Sequence, residues 1–588
     1  MLIPLLTAAF AALFQAAPSQ TVAVAPGDAP AHDQRSAPDS LRALRTARRA
    51  QDNFEFIRRQ YLPHEYGIGS HACDVRIGRW CIRNEGSGDR KAPPEAPRII
   101  EARARLLVLL DSVGSQFPGD EWIAAQQIRY MIEAKRFADA VRVADRCTES
   151  GSPYRCRAFA AVAFHDSGAV YAADSVFSRA LAAMPDSIRC RWTDISPLID
   201  DDLADRYDHA DCALRRAIEA EFWSITTPLY LRESDFHDEF LSRVVRTVME
   251  ENSRTPLGSP KEDAFREMAL RYGDDTWFSR EDAPLGSMAE PAVSGHNENG
   301  NGFNFVPRYG VFSSPASLTA DDWDLHLRSA RTNYAPKYAQ HFRPLERRQI
   351  ALFRRGDSAL VVAAYDATAD TLFLHDTLEA GLFTLPVNGT RIGEPRGVVK
   401  VLASPREVLT ATAAWSPMLV SLELLDDSTR SAARLRYGLT PPLAVGRVSI
   451  SDLLMFRPPS GDATTGTLTD VLPLMLHDLH VSAKEPLGVF WETYGVRAEG
   501  ESIAVALSIE RIKEGWARRA AERLHLATPF SPMHVRWQEI PNQADHVASR
   551  TMTLDLSKLD PGRYEISLTL SPRGEPAVVA KREIVIER

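Results

Sequence analysis

Apolar residues recur with two different periods along this chain, and the period changes near Arg347. Before that point they return every three to four positions, as in RIIEARARLLVLLDSVGSQFP at 98–118, which predicts amphipathic helices. Beyond it they alternate with polar residues, as in RQIALFRRGDSALVVAAYD at 348–366, which predicts a hairpin turning at Gly356-Asp357. The pattern therefore predicts an α+β multidomain chain, with an α-helical half followed by antiparallel sheets.

Small, aromatic and turn-forming residues stand at regular positions between 154 and 185. They are Ala161, Phe164, Gly168, Ala173, Phe177, Ala180, Leu181 and Pro185. These types and spacings resemble the tetratricopeptide repeat, a two-helix unit of about 34 residues. Small residues let the two helices approach, aromatic residues fill the gap, and glycine permits the turn. We interpret 39–216 as a degenerate tetratricopeptide-like (TPR-like) array, with a weaker unit from Glu121; a plain helical bundle is the alternative.

Such an array would line a groove with the first helix of each unit. Its groove positions fall on Trp122, Arg129, Glu133, Arg155, His165 and Asp166. An aromatic ring beside two guanidinium groups could grip an extended peptide or a carboxylate. The alternative is a solvated helix face whose charges neutralise one another.

The middle segment, 217–290, carries a second resemblance. It contains Phe222-Trp223, a break at Pro228-Leu229-Tyr230, an amphipathic stretch at 235–250, and Arg271-Tyr272-Gly273 leading to Trp277. This order resembles the exported bacterial GWxTD-domain proteins, although the GWxTD string itself is replaced by Tyr272-Gly273-Asp274-Asp275-Thr276-Trp277. The resemblance implies export and an overall architecture, but no chemistry.

The second half reads as two β-sandwiches joined to the helices by a loop-rich connector at 291–345. We assign the first sandwich to 346–442, with further strands at Thr371–Leu374, Gly397–Leu402, Leu419–Leu425 and Ala432–Tyr437. The second occupies 443–588, where Tyr564 follows the turn Leu559-Asp560-Pro561-Gly562. That arrangement resembles the tyrosine corner of immunoglobulin and fibronectin III-like domains. A basic stretch at 513–526 predicts a helical insertion between strands.

The N-terminus and the cysteines bear on cellular location. Residues 1–14 are apolar and uncharged, and Ala17 and Ser19 have the spacing of a signal-peptidase site. We therefore predict a signal peptide at 1–19 and a flexible linker at 20–38. Six cysteines suggest disulfides in an exported chain, paired most simply as Cys73–Cys81, Cys147–Cys156 and Cys190–Cys212. The alternative is six unrelated buried thiols.

Net charge and motif content narrow the range of possible functions. The 588 residues include 69 Lys and Arg against 78 Asp and Glu, a formal charge of −9, which argues against nucleic-acid binding. The common catalytic motifs are missing from the sequence, so we predict no catalytic, cofactor or metal residues. The leading hypothesis is an exported, periplasmic or envelope-associated protein that binds a protein or peptide partner, or acts as a scaffold. Its mature form would have no transmembrane span. The rivals are an envelope hydrolase with a site between the middle segment and the first sandwich, and a purely structural assembly subunit.

Overall fold

A computed structural model describes most of the chain. The described residues are 37–64, 75–78, 80–82, 92–199, 201–232, 235–258, 263–280, 292–296, 302–308, 311–327, 329–373, 378–442, 446–459, 466–496, 502–512, 533–540 and 547–587. The predicted signal peptide, nearly all of the predicted linker and the basic insertion at 513–526 lie outside these residues.

Twelve helices occur among the described residues, eleven of them before the β-rich half. Their bounds are α1 Ala37–Tyr61, α2 Pro97–Gly114, α3 Glu121–Glu133, α4 Phe137–Ser150, α5 Pro153–Asp166, α6 Val170–Ala182, α7 Asp186–Trp192, α8 Asp201–Asp208, α9 Cys212–Thr226, α10 Asp235–Met249, α11 Asp263–Tyr272 and α12 Leu468–Val471. Each helix from α1 to α5 packs on the next. Gly168 has φ +85°, which lets the chain reverse between α5 and α6. Ala161 and Ala173 are fully buried in the helical core.

Two disulfides link neighbouring helices in the described part of the chain. Cys147 in α4 is bonded to Cys156 in α5, and Cys190 in α7 is bonded to Cys212 at the start of α9. Both pairings are those predicted from sequence. The third predicted pair, Cys73–Cys81, includes a cysteine outside the described residues.

Two short strand pairs occur in the helical half of the sequence, and the other strands belong to the β-rich half. Their bounds are β1 Val75–Ile77, β2 Trp80–Ile82, β3 Trp277–Arg280, β4 Val293–His296, β5 His341–Pro344, β6 Arg348–Arg355, β7 Ser358–Asp366, β8 Leu378–Asn388, β9 Arg391–Ile392, β10 Arg396–Ala403, β11 Arg406–Ala414, β12 Met418–Asp426, β13 Ser431–Leu439, β14 Ser449–Ile450, β15 Leu454–Phe456, β16 His480–Ser482, β17 Leu487–Tyr494, β18 Ile503–Arg511, β19 Met533–Glu539, β20 Val547–Leu554, β21 Gly562–Pro572 and β22 Val578–Glu587.

Two sheets enclose a common core in the first β module. One has the order β10-β8-β12-β13-β5, with β9 beside β8, and the other has the order β11-β7-β6. Their facing side chains, such as Val361, Leu382 and Leu422, form one buried cluster. All pairs in this module are antiparallel except β13 with β5, which is parallel. The hairpin predicted at 348–366 is present as β6 and β7.

The strand predicted at Thr371–Leu374 is wrong over its described residues. The side chain of Asp370 accepts a hydrogen bond from the backbone of Leu372 at 3.0 Å, and its carbonyl accepts one from Phe373 at 3.1 Å. These contacts close a turn, which aspartate favours by bonding to the backbone two residues on. Strands β8 and β11 were not predicted.

The second β module also consists of two sheets around a shared core. The orders are β14-β17-β15, with β20 beside β17, and β16-β22-β21-β18-β19. Only the short pair β16–β22 is parallel among the described strands of this module. The hydroxyl of Tyr564 donates to the carbonyl oxygen of Asp560 at 2.7 Å, which is the contact expected of a tyrosine corner.

The two sheets of the first module are covered on their outer faces as well. Leu385 and Leu419 belong to the core of the helical half, whereas Phe353 and Val362 pack with Phe490 of the second module. Because both faces are buried, β12 is buried at every position, and its polar residues Ser421 and Glu423 share the face that is turned to the helical half.

A buried ion pair and its hydrogen bonds connect α9 to the first module. Arg436 donates from Nη1 to the carbonyls of Ile225 and Thr227, both at 2.8 Å, and pairs with Glu423 at 2.9 Å. Arg434 donates to Thr227 as well, at 2.9 Å. The last carbonyl groups of a helix have no hydrogen-bond donor within the helix. The two guanidinium groups supply the missing donors at the end of α9. Burial, and then repulsion from Arg436, lower the pKa of Arg434 to about 9.

Candidate functional site

Helix α10 covers the surface that the repeat pattern assigned to a peptide groove. It packs against α3, α5 and α6. Its apolar side chains Phe236, Phe240, Leu241, Val244 and Val245 are all almost completely buried. A helix with so broad an apolar stripe must be buried against neighbours, and here the neighbours are the groove helices.

Three of the six predicted groove residues, Arg129, His165 and Asp166, pair with α10 or with Glu250 just beyond it, whereas Glu133 pairs with α1. Arg129 pairs with Glu250 at 3.2 Å, and Glu133 pairs with Arg58 at 2.5 Å. Asp166 forms an ion pair with Arg246 of α10. The Nε2 atom of His165 lies 3.6 Å from a carboxylate oxygen of Glu239, also in α10.

The other two predicted residues have partners at the edge of the helices. The guanidinium of Arg48 lies over the Trp122 ring, 5.4 Å from its centre. Arg155 pairs with Glu121 at 3.1 Å. All six side chains therefore contact the chain itself, and an external peptide would have to displace α10 to reach the three that it covers.

A small polar cleft lies beside Arg129 and Glu133, between α1, α3, α10 and the segment after α11. Its volume is about 110 Å³, and its lining includes Glu250, Asp274 and Asp275. Burial raises the pKa of Glu250 to about 7, against the opposing effect of Arg129. Burial, followed by repulsion from Asp274, raises the pKa of Asp275 to about 7. Two carboxyl groups that titrate near neutrality mark this cleft as a candidate for proton chemistry.

The carboxylate of Asp275 lies directly against the backbone of β4. A Cβ atom placed on Gly295 would come within 1.7 Å of its Oδ2 atom. Glycine at 295 is therefore required for this close approach.

Strand β10 is an exposed sheet edge. It pairs with β8 on one side, and no strand pairs with its other side in the part of the chain that the structure describes. The exposed fractions of Val398, Val399, Val401 and Leu402 run from 42% to 73%. Native proteins usually blunt such an edge with charges, prolines or a short length. Here Lys400 is engaged with Glu407 at 2.6 Å.

A larger cavity opens where the connector meets α8. We call it the connector cavity; its volume is about 410 Å³, within the range of small-molecule sites, about 300–1,000 Å³. The side chains that line it are Leu198, Ile199, Leu203, Arg206, Asn304, Val306, Pro307, Arg308, Phe312, Ser313, Asp322, Asp324, Leu327, Ser329, Ala330 and Arg331. None of them was predicted as a site residue, because the two walls are about a hundred positions apart in sequence. The one available signal was the length of the connector.

The predicted hydrolase location, between the middle segment and the first module, is tightly packed. The guanidinium of Arg436 lies 3.8 Å from the centre of the Tyr230 ring, and Glu423 is fully buried beside them. Among the described residues, no group of three or more His, Cys, Asp or Glu side chains is placed to hold a metal ion.

Comparisons with known proteins add little. No protein-family model matches the chain, and no curated protein is similar to it. Among solved structures, the crystal structure of red sea bream transglutaminase is similar at 11% identity with a TM-score of 0.14. The similarity covers 41% of this chain and 31% of that one. At that TM-score it carries no argument about fold or activity.

The cleft carboxylate gives a prediction about pH. The folded-state pKa of Asp275 is raised, so the folded chain keeps a proton that the unfolded chain loses between pH 4 and 7. Its contribution to stability is therefore present at acid pH and is lost as the pH rises to about 7. We expect Asp275→Asn to stabilise the protein by about 2 kcal/mol at pH 8, and by much less at pH 5.

Urea denaturation at the two pH values would measure this difference. Asp139→Asn is the control, because Asp139 lies at the surface and Arg136 lowers its pKa. That control should not stabilise at pH 8. An equal effect of Asp275→Asn at both pH values would contradict the prediction.

Proposed function

We propose that this chain is an exported, non-catalytic protein of the bacterial cell envelope that binds a partner protein or acts as a scaffold. The observation that carries the proposal is the edge strand β10, whose four large apolar side chains are exposed on both faces of the strand. We further propose that the helices are a TPR-like array, that the β modules are immunoglobulin or fibronectin III-like sandwiches, and that the middle segment is GWxTD-like.

Support for export comes from the described disulfides and from the N-terminal sequence. Cys147–Cys156 and Cys190–Cys212 are both formed, and disulfides persist mainly in oxidising compartments. The apolar segment at 1–14 has the character of an export signal. Of the helices that the structure describes, none has the length and apolar character needed to span a bilayer.

The chemistry of β10 specifies the type of partner. An extended segment laid along its free side would pair with backbone groups over up to eight residues, as in strand addition. The segment should present apolar residues opposite the valines. It should also carry an acidic residue opposite Arg396, which places a positive charge at the start of the edge.

The test is site-directed crosslinking from β10 in native envelope extracts. A photocrosslinking amino acid at Val399 should capture a partner through an extended segment that is apolar and acidic. In the chain that carries this crosslinker, Val398→Lys with Val401→Lys should abolish capture, because charges on an edge oppose strand pairing. A matched control in the same crosslinker-bearing chain is Val535→Lys with Ile540→Lys, at and just beyond β19, another edge strand.

The outcomes are distinct. Capture lost with the β10 variant and retained with the β19 variant supports the proposal. Equal loss with both variants, or crosslinks to no protein, overturns it. Crosslinks only to a second copy of the chain would also overturn partner binding and would favour the purely structural assembly subunit.

The hydrolase alternative placed its site between the middle segment and the first module; the one observation that favours acid–base chemistry, the cleft with Glu250 and Asp275, lies elsewhere, between α1, α3 and α10. Its volume of about 110 Å³ is below the range of about 300–1,000 Å³ of most ligand sites. Helix α10 forms one wall of the cleft and packs against α3. Because α10 is held there by several buried apolar side chains and ion pairs, the geometry supports binding at β10 better than catalysis in the cleft.

A further inference from the structure

The connector cavity has an apolar body. Leu198, Ile199 and Leu203 form one wall, while Phe312 and Ala330 belong to the opposite wall. Most of this surface belongs to side chains that are otherwise buried in the helical core. These side chains are at most 9% exposed, so the cavity of about 410 Å³ is a recess in the apolar core, and the apolar part of a ligand would be stabilised by leaving water for it.

Three guanidinium groups line the same cavity. Arg206 is paired with Glu221 at 3.1 Å, and Arg331 donates from Nε to the carbonyl of Pro197 at 3.2 Å. Arg308 differs from both. Its backbone N–H donates to the carbonyl of Asp322 at 2.9 Å, but its guanidinium has no acceptor or ion-pair partner among the described residues.

The acidic residues of the cavity are already engaged. Asp322 accepts hydrogen bonds from the backbone and hydroxyl of Thr319, at 2.7 and 2.8 Å. Asp324 accepts one from the backbone of His326 at 3.1 Å. Arg308 is exposed, and among the described residues of the cavity its guanidinium is the charged group without a protein partner, so it is free to exchange water for an anionic ligand.

We propose that the connector cavity binds a small amphiphilic carboxylate, with its apolar part between α8 and the connector and its carboxylate on Arg308. Guanidinium and carboxylate match in planar, bidentate geometry, which a lysine ammonium does not offer. The site is separate from β10, so this proposal stands or falls independently of the proposed partner binding.

Two sources offer this chemistry. One is a free medium-chain fatty acid, and the other is the C-terminal carboxylate of a peptide that ends in an apolar residue. Both place a carboxylate next to an apolar group. The experiment therefore includes both, each with a partner that lacks the charge.

The test is isothermal titration calorimetry with the full chain. The probes are decanoate and decanol in one arm, and a tripeptide ending in phenylalanine as free acid or amide in the other. We expect at least one acid to bind, and to bind about tenfold or more tighter than its uncharged partner. We also expect Arg308→Gln to weaken that acid about tenfold and to leave the uncharged partner unaffected.

Two variants complete the design. Arg573→Gln is the matched control, because Arg573 is an exposed arginine in the β21–β22 turn, on the second module. Ala330→Trp should fill the cavity and abolish binding; if its circular dichroism shows unfolding, Leu327→Trp replaces it, because Leu327 is partly exposed at the same cavity. The proposal is overturned if neither acid binds, if the uncharged probes bind equally well, or if Arg308→Gln behaves like Arg573→Gln.

Discussion

Replacing Glu423 by alanine is expected to lower the free energy of unfolding by about 3–5 kcal/mol. Glu423 and Arg436 are paired at 2.9 Å, and both side chains are completely buried. Removing the carboxylate would leave the guanidinium charged in an apolar setting. The Glu423 side chain also accepts the backbone N–H of Leu231 at 3.0 Å, so the substitution leaves that donor unpaired as well.

Urea denaturation followed by tryptophan fluorescence would measure the loss. The control is Glu583→Ala, which removes an ion pair with Arg563 in which both side chains are more than half exposed. Exposed pairs contribute little, so this control should change the free energy of unfolding by less than about 1 kcal/mol. Similar losses for the two variants would show that the buried pair does not anchor the helical half to the first module.

Removing the Cys190–Cys212 disulfide is expected to cost about 3 kcal/mol. The bond closes a loop with a sequence separation of 22 and ties α7 to α9, the helix whose end Arg434 and Arg436 complete. A crosslink stabilises chiefly by limiting the unfolded chain, and the effect grows slowly with loop length. The double variant Cys190→Ala with Cys212→Ala should therefore unfold at lower urea.

The shorter disulfide provides the comparison. Cys147 and Cys156 are separated by 9 residues, so the same reasoning gives a loss of about 2.5 kcal/mol for their alanine pair. The longer loop should give the larger loss, measured by urea denaturation under identical conditions. A loss below about 1 kcal/mol for the Cys190–Cys212 pair would contradict the expectation.

Local sequence patterns predicted the elements that form through contacts between residues close in sequence. The hairpin of β6 and β7 follows from alternation around Gly356, and the contact of Tyr564 with Asp560 follows from a turn placed before a strand. Nearest-neighbour pairing of cysteines gave both described disulfides, because short loops close at the lowest entropic cost. By contrast, Asp370 closes a turn through a contact that the alternation of Thr371–Leu374 did not show.

The candidate sites depend on contacts between residues far apart in sequence, which the local pattern does not show. Sequence predicted an amphipathic stretch at 235–250 but not its docking on α3 and α5, which filled the expected groove. The connector cavity is lined by both Leu203 and Ala330, which are more than a hundred residues apart in sequence. The strand at β10 was predicted, but its position at the edge of the sheet was not, since strand order is a property of the whole fold.

The first β module has its outer faces covered on both sides, by Leu385 and Leu419 against the helices and by Phe353 and Val362 against the second module. Neither face is suited to water once its neighbour is removed. Recombination that exchanged this module alone between proteins would therefore produce an insoluble chain. We therefore expect related proteins to contain the helical half and both β modules together.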